Sequence, residues 1–106
     1  MNDKLKNKNL DALMTAVLSL KNIEECYDFF EDLCTVTELK AMEQRYEVAY
    51  LLYEGNVYGD VVKKTGASTA TISRVNRSLN YGSNGYRVVF ERLKADGIDP
   101  GEGRKE

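Results

Sequence analysis

Leu10, Leu13, Met14, Val17 and Leu18 recur three and four positions apart, which predicts an amphipathic helix across the uncharged run Ala12 to Leu20. The spacing returns in Ile23, Cys26, Tyr27, Phe30, Leu33 and Cys34, behind Asn22 and Glu25, whose separation is that of a capping box. Thr35 and Glu38 repeat that signature and open a longer third helix, with Leu39, Met42, Tyr46, Ala49, Tyr50 and Tyr53 turned inward and an end near Gly55. A short helix over residues 60–65 ends at Gly66, and a fifth runs from about Thr69 to Leu79. The loop from Gly82 to Gly85 precedes a sixth helix ending near Gly97. The only proline is Pro100, so nothing before it forbids helix, and no segment alternates with period two between turn residues. The pattern predicts an all-α fold of six helices. Residues 1–8 read as a basic flexible arm, 9–95 as the helical domain and 96–106 as a disordered tail.

A chain of 106 residues makes one domain with one core and little room for a deep catalytic cleft, so function is expected on the surface. None of the residues is histidine, which removes the serine–histidine and cysteine–histidine nucleophile systems and most zinc sites. Cys26 and Cys34 lie eight residues apart on one expected helix, about 12 Å at 1.5 Å per residue, too far for a disulfide. Two unpaired cysteines fit a reducing, cytoplasmic compartment. Lys4, Lys6 and Lys8 ahead of the Ala12–Leu20 run imitate a secretory signal, but no small-residue cleavage pattern follows, and nine residues are too few to span a membrane. The expectation is a cytoplasmic protein that is not an enzyme, with no metal, no cofactor and no membrane partner.

The formal net charge of −2 hides an uneven distribution. Residues 22–55 hold nine acids against Lys40 and Arg45, a net of −7, while residues 57–94 hold seven bases against Asp60 and Glu91, a net of +5. With the basic N-terminal segment, the second half offers an electrostatic footprint for a polyanion. Inside it, the run from Tyr58 to Leu79 reads as a helix-turn-helix, about residues 58–79. Gly66 supplies the turn and Ser68 the cap of the second helix. Ile72, Val75 and Leu79 fall on one face of that helix. Ala70, Ser73, Arg74 and Arg77 fall on the other, with Thr69 and Thr71 flanking its first turn. Small residues there allow close approach to base edges, hydroxyls bond bases or phosphates, and the arginines supply guanine or phosphate contacts. Thr69, Ala70, Thr71, Ser73 and Arg77 are the candidates for the groove, with Lys63, Lys64 and Ser68 beside phosphates. Two positions depart from the usual pattern: Val62 stands where a small residue is customary and Thr65 where an apolar one is.

The run from Thr35 to Leu93 resembles the Trp-repressor superfamily, most closely its YerC/YecD-type TrpR-related branch. The resemblance is carried by Thr35-Val-Thr-Glu38, Ala41, Arg45, Leu51-Leu52, Gly55, Gly66-Ala67, Ala70-Thr-Ile-Ser-Arg74, Asn76 and Ser78-Leu79. Cys26-Tyr-Asp-Phe-Phe, Asp32-Leu-Cys-Thr35 and Ser68-Thr-Ala-Thr-Ile-Ser-Arg-Val75 carry the likeness to that branch in particular. It implies an interwoven six-helix homodimer with two reading helices about one DNA turn, roughly 34 Å, apart on double-stranded DNA. It also implies a site for a small-molecule co-repressor between Arg45 and Arg74, with Thr35 at the ligand's polar end. Val75 replaces the glycine that makes space for indole in Trp repressors, so the effector is expected not to be tryptophan and is unidentified. Arg74 then has two claimants, DNA and effector.

The acids Glu24, Glu25, Asp28, Glu31 and Asp32 lie opposite an apolar stripe without the glycine or spacing of a calcium loop, and read as a solvated face. Tyr27, Tyr46, Tyr50 and Tyr53 read as core or dimer interface, whereas Tyr58, Tyr81 and Tyr86 border the basic segment and stay open. The sequence leads to a homodimeric, helix-turn-helix, sequence-specific DNA-binding transcriptional regulator of repressor type. The rival is a helical dimeric protein-interaction module that kept the fold and lost operator recognition. Overall acidity, and Gly59 and Val62 where Trp repressors carry bases, favour that rival.

Overall fold

The computed structural model describes residues 3–104. They form a 3-10 turn at Asp3–Leu5 and six α-helices: α1 (Lys8–Leu18), α2 (Ile23–Leu33), α3 (Val36–Tyr53), α4 (Tyr58–Thr65), α5 (Thr69–Tyr81) and α6 (Gly85–Ala95), with no strand among the described residues. The all-α, six-helix expectation holds. Met1 and Asn2 of the expected arm, and Lys105 and Glu106 of the expected tail, lie outside the described residues. The chain divides after Lys40 into two compact units.

In the first unit, side chains set the helix starts. The Asn7 side-chain oxygen accepts from the Leu10 N–H at 2.9 Å and caps α1. The Asn22 oxygen accepts from the Glu25 N–H at 2.9 Å, and the Glu25 carboxylate reaches back to the Lys21 N–H at 3.0 Å. At the head of α3, the Thr35 hydroxyl oxygen accepts from the Glu38 N–H at 3.1 Å while the Glu38 carboxylate accepts from the Thr35 N–H at 2.9 Å. The Thr35 N–H first, and the Thr35 side chain after it, hold the Glu38 carboxyl below its ordinary value. The apolar stripes formed, but none of residues 3–40 is buried. Leu18 is 86% exposed, and Tyr27, expected on an inward face, is 73% exposed.

The second unit holds the core. Val48, Ala49, Val61, Ala67, Ile72, Val75, Leu79 and Phe90 form one buried cluster. Phe90 of α6 is its hub, with the rings of Tyr46, Tyr50, Tyr53 and Tyr86 at centroid distances of 5.6, 5.2, 5.1 and 6.0 Å. Tyr46, Tyr50, Leu51, Leu52 and Tyr53 all pack against the cluster. Val48 joins the core unforeseen, whereas Met42, expected inward, is exposed. α3 closes with Gly55 at φ 91°, and the N–H groups of Gly55 and Asn56 bond the carbonyls of Leu52 and Leu51. After α6 the chain departs from the expected disordered tail. Ile98 N–H bonds the Leu93 carbonyl at 2.9 Å, Pro100 is buried, and its carbonyl accepts from the Tyr46 hydroxyl at 3.0 Å. A β-carbon on Gly101 would come within 2.9 Å of the Tyr50 ring, so a larger residue there would have to displace that ring.

Candidate nucleic-acid interface

α4, the turn and α5 are built largely from their own residues. Val61 is fully buried and seats α4 on the core. α4 ends at Gly66, whose φ of 71° is left-handed and whose N–H bonds the Val62 carbonyl at 2.8 Å. A β-carbon there would meet nothing within 4 Å, so backbone handedness and not space selects glycine. Ala67 is buried beneath the turn. Thr65, polar where an apolar residue is customary, satisfies itself: its hydroxyl donates to the Val61 carbonyl at 2.7 Å and accepts from the Ala67 N–H at 3.1 Å. The Gln44 side chain of α3 donates to the Thr65 carbonyl at 3.3 Å and ties the turn to the core helix. Val62 is accommodated half-buried against the cluster.

The Ser68 hydroxyl oxygen accepts from the Thr71 N–H at 3.1 Å and donates to the Thr71 hydroxyl at 3.0 Å. Ile72, Val75 and Leu79 are buried, as their shared face predicts. The opposite face carries Thr69, Ala70, Ser73, Arg74 and Arg77, all exposed, with Ser68 exposed and Thr71 half-buried beside it. Arg74 and Arg77 take part in no hydrogen bond or ion pair among the described residues, so both guanidinium forks are open to a partner.

The positive charge of the second unit is partly engaged internally. Lys63 and Lys64 are exposed in the last turn of α4. Lys64 donates to the Asn56 side-chain oxygen at 3.1 Å and lines a cavity of about 450 Å³ with Glu43, Glu47, Asp99 and Glu102. Lys94 pairs with Glu54 at 3.4 Å and stands over the Tyr50 and Tyr53 rings at 5.8 and 5.1 Å. Glu54 also accepts from the Tyr50 hydroxyl, which pushes that phenol above its usual range. Arg87 bonds the end of α5. Lys63, Arg74, Arg77 and Arg92 are the bases of this region left facing outward.

The four effector candidates fall in different surroundings. Thr35 is exposed at its capping box, Arg45 is half-buried, Arg74 is exposed, and Val75 is 2% exposed within the core. None of them lines the 450 Å³ cavity. Sequence reasoning missed Arg87, Asn80, Asn56 and Gln44. The bonds of Arg87 to Leu79 and Asn80, of Asn56 to Leu51 and of Gln44 to Thr65 join residues from 5 to 21 positions apart, beyond the reach of a capping box. Among the described residues no cluster of three or more acidic, cysteine or histidine side chains is arranged to hold a metal, and no helix is long and apolar enough to cross a membrane.

Known proteins share this plan. The family model for Trp repressor protein matches residues 8–94. The uncharacterized protein YerC of Bacillus subtilis is 55% identical over 92 residues, covering 87% of this chain and 88% of its own. The crystal structure of a TrpR-like protein from Eubacterium eligens superposes with a TM-score of 0.85 at 59% identity, covering 88% of this chain and 96% of that one. With most of its length matched by the family and by relatives of this identity, the chain belongs to the Trp repressor family.

Proposed function

We propose that the chain is a cytoplasmic, homodimeric, sequence-specific DNA-binding transcriptional regulator of the repressor type, not an enzyme, which reads double-stranded DNA with the outward face of α5. The observation that carries this reading is the pair of unengaged guanidinium groups on Arg74 and Arg77, beside small and hydroxyl side chains on a helix whose other face is locked in the core. Ala70 and Ser73 keep the approach to base edges short, Thr69 and Thr71 offer hydroxyls, and Arg77 supplies a fork suited to guanine. Lys63, and Lys64 beyond its bond to Asn56, with Ser68, stand at phosphates. The unburied stripes of α1 and α2 support a homodimer that covers them with a second copy. Thr35, Arg45 and Arg74 are the proposed effector contacts. Val75, standing where Trp repressors keep a glycine, supports an effector other than tryptophan.

The test is selection of bound duplexes from a random pool at near-physiological salt, with and without tryptophan. The expected result is one enriched two-fold motif, the same in both arms, whose affinity falls with salt at a log–log slope of about −0.9 per phosphate neutralised. Arg77→Ala should weaken binding and leave the assembly intact. The internal engagement of Lys64, Arg87 and Lys94 favours the rival interaction module, and absence of any enriched motif would decide for it.

A further inference from the structure

Arg87 is the basic residue of α6 whose side chain turns back onto α5. Its Nε donates to the Leu79 carbonyl at 3.2 Å, and its Nη2 donates to the Asn80 side-chain oxygen at 2.9 Å. Asn80 in turn donates to the carbonyl and side-chain oxygens of Asn76 at 3.0 and 2.9 Å. The guanidinium carbon lies 5.6 Å from the Tyr53 ring centroid on α3. The geometry is set by the loop between the helices. The Gly82 N–H closes the last α5 turn on the Ser78 carbonyl at 3.0 Å, and Asn84 adopts a left-handed φ of 65°, so that α6 starts at once and Arg87 reaches the end of α5.

The last carbonyls of a helix have no intrahelical donor, and they form the negative end of its dipole. Leu79 presents one of them at the end of α5, and Arg87 gives it a cationic donor anchored by an aromatic ring on another helix. We infer that Arg87 is a positioning residue for the reading helix: it touches α5 and α3, and fixes the angle at which Arg74, Arg77 and the first turn of α5 are presented. This inference rests on the DNA-reading proposal above. Thr69 lies ten residues from Leu79, about 15 Å along the axis, so a tilt of about 10° around the capped end would move it by roughly 3 Å, far outside the ~0.5 Å tolerance of a recognition site.

The distinguishing prediction is a loss of discrimination rather than of charge. Arg87→Ala should bind the selected duplex about tenfold more weakly, the scale of one lost charged hydrogen bond. Its affinity for a scrambled duplex and its salt slope should stay those of the parent, because no phosphate contact is removed. Arg87→Lys, which keeps the charge without the planar fork, should follow the alanine variant and serves as the readable variant if alanine fails to fold. In the free protein, the amides of the last α5 turn should exchange faster in both. Restoration by lysine, equal weakening on both duplexes, a slope shallower by about 0.9, or unchanged amide exchange would each overturn the positioning role. Failure of the parent chain to enrich any duplex overturns the DNA reading itself. Enrichment by the parent, with Arg87→Ala discriminating equally well, overturns only the inference about Arg87.

Discussion

Phe30 in α2 and Phe90 in α6 both sit on helices of 11 residues, yet Phe90 is fully buried among four tyrosine rings while Phe30 is half-buried, its ring 5.6 Å from that of the neighbouring Phe29. The contrast extends to the two units. Every buried apolar side chain belongs to the unit after Lys40, and none to the described residues before it. Periodicity therefore reports that a helix has an inward face; it does not report what that face meets. In the second unit the chain supplies its own cover. In the first, three well-capped helix starts present faces that this chain leaves open, which a second copy would cover under the proposed homodimer.

The largest expected effect comes from breaking the contrast at its two phenylalanines. Phe90→Ala should lose about 3–5 kcal/mol in denaturant unfolding, because the cavity left beneath the tyrosines is held open on all sides. Phe30→Ala should lose clearly less. Equal losses would show that the first unit is buried as deeply as the second in the working protein.

The next effect is on assembly. Leu18→Ala removes a side chain that is 86% exposed in the single chain, where such a change shifts stability by no more than about 0.5 kcal/mol. If a second copy covers α1, burial of that leucine contributes about 1.5–3 kcal/mol and its loss should weaken dimerisation by roughly tenfold or more. Sedimentation equilibrium over a dilution series reads this directly. An unchanged association constant would remove α1 from the proposed dimer interface.

What was legible in the sequence follows the same division between local and distant causes. The caps at Asn22, Thr35 and Ser68, the left-handed turn at Gly66 and the buried face Ile72, Val75 and Leu79 depend on residues at most a few positions apart, and all were read correctly. α3 was misread at Val48 because its second half is packed on more than one side. With Tyr46, Tyr50, Leu51, Leu52 and Tyr53 all against the core, no single stripe remains to be found. The order beyond Gly97 depends on a bond from Tyr46 to Pro100 across 54 positions, which composition cannot signal. Arg87 was hidden for the same reason, since it reads as one more base in a basic segment until the loop at Asn84 brings it to α5.

The smallest effect isolates a purely local device in the unit without a core. Glu38 accepts from the Thr35 N–H, and that bond leads the causes holding its carboxyl below the ordinary value of 4.5. A carboxylate whose folded pKa is lowered adds stability that is fully present above its unfolded pKa, near 4.5, and is lost as pH falls through the folded value. Glu38→Gln keeps a side-chain acceptor for the Thr35 N–H but cannot titrate, so its deficit against the parent should be constant above about pH 5 and close in more acidic solution. Thr35→Ala removes the other half of the box and should cost about 1 kcal/mol at neutral pH. Denaturant unfolding of the parent and both variants between pH 3 and pH 7 tests the pair. A Glu38→Gln deficit that grows on acidification would mean that the carboxylate destabilises the fold, and a Thr35→Ala variant as stable as the parent would mean that this helix start is held by packing rather than by its cap.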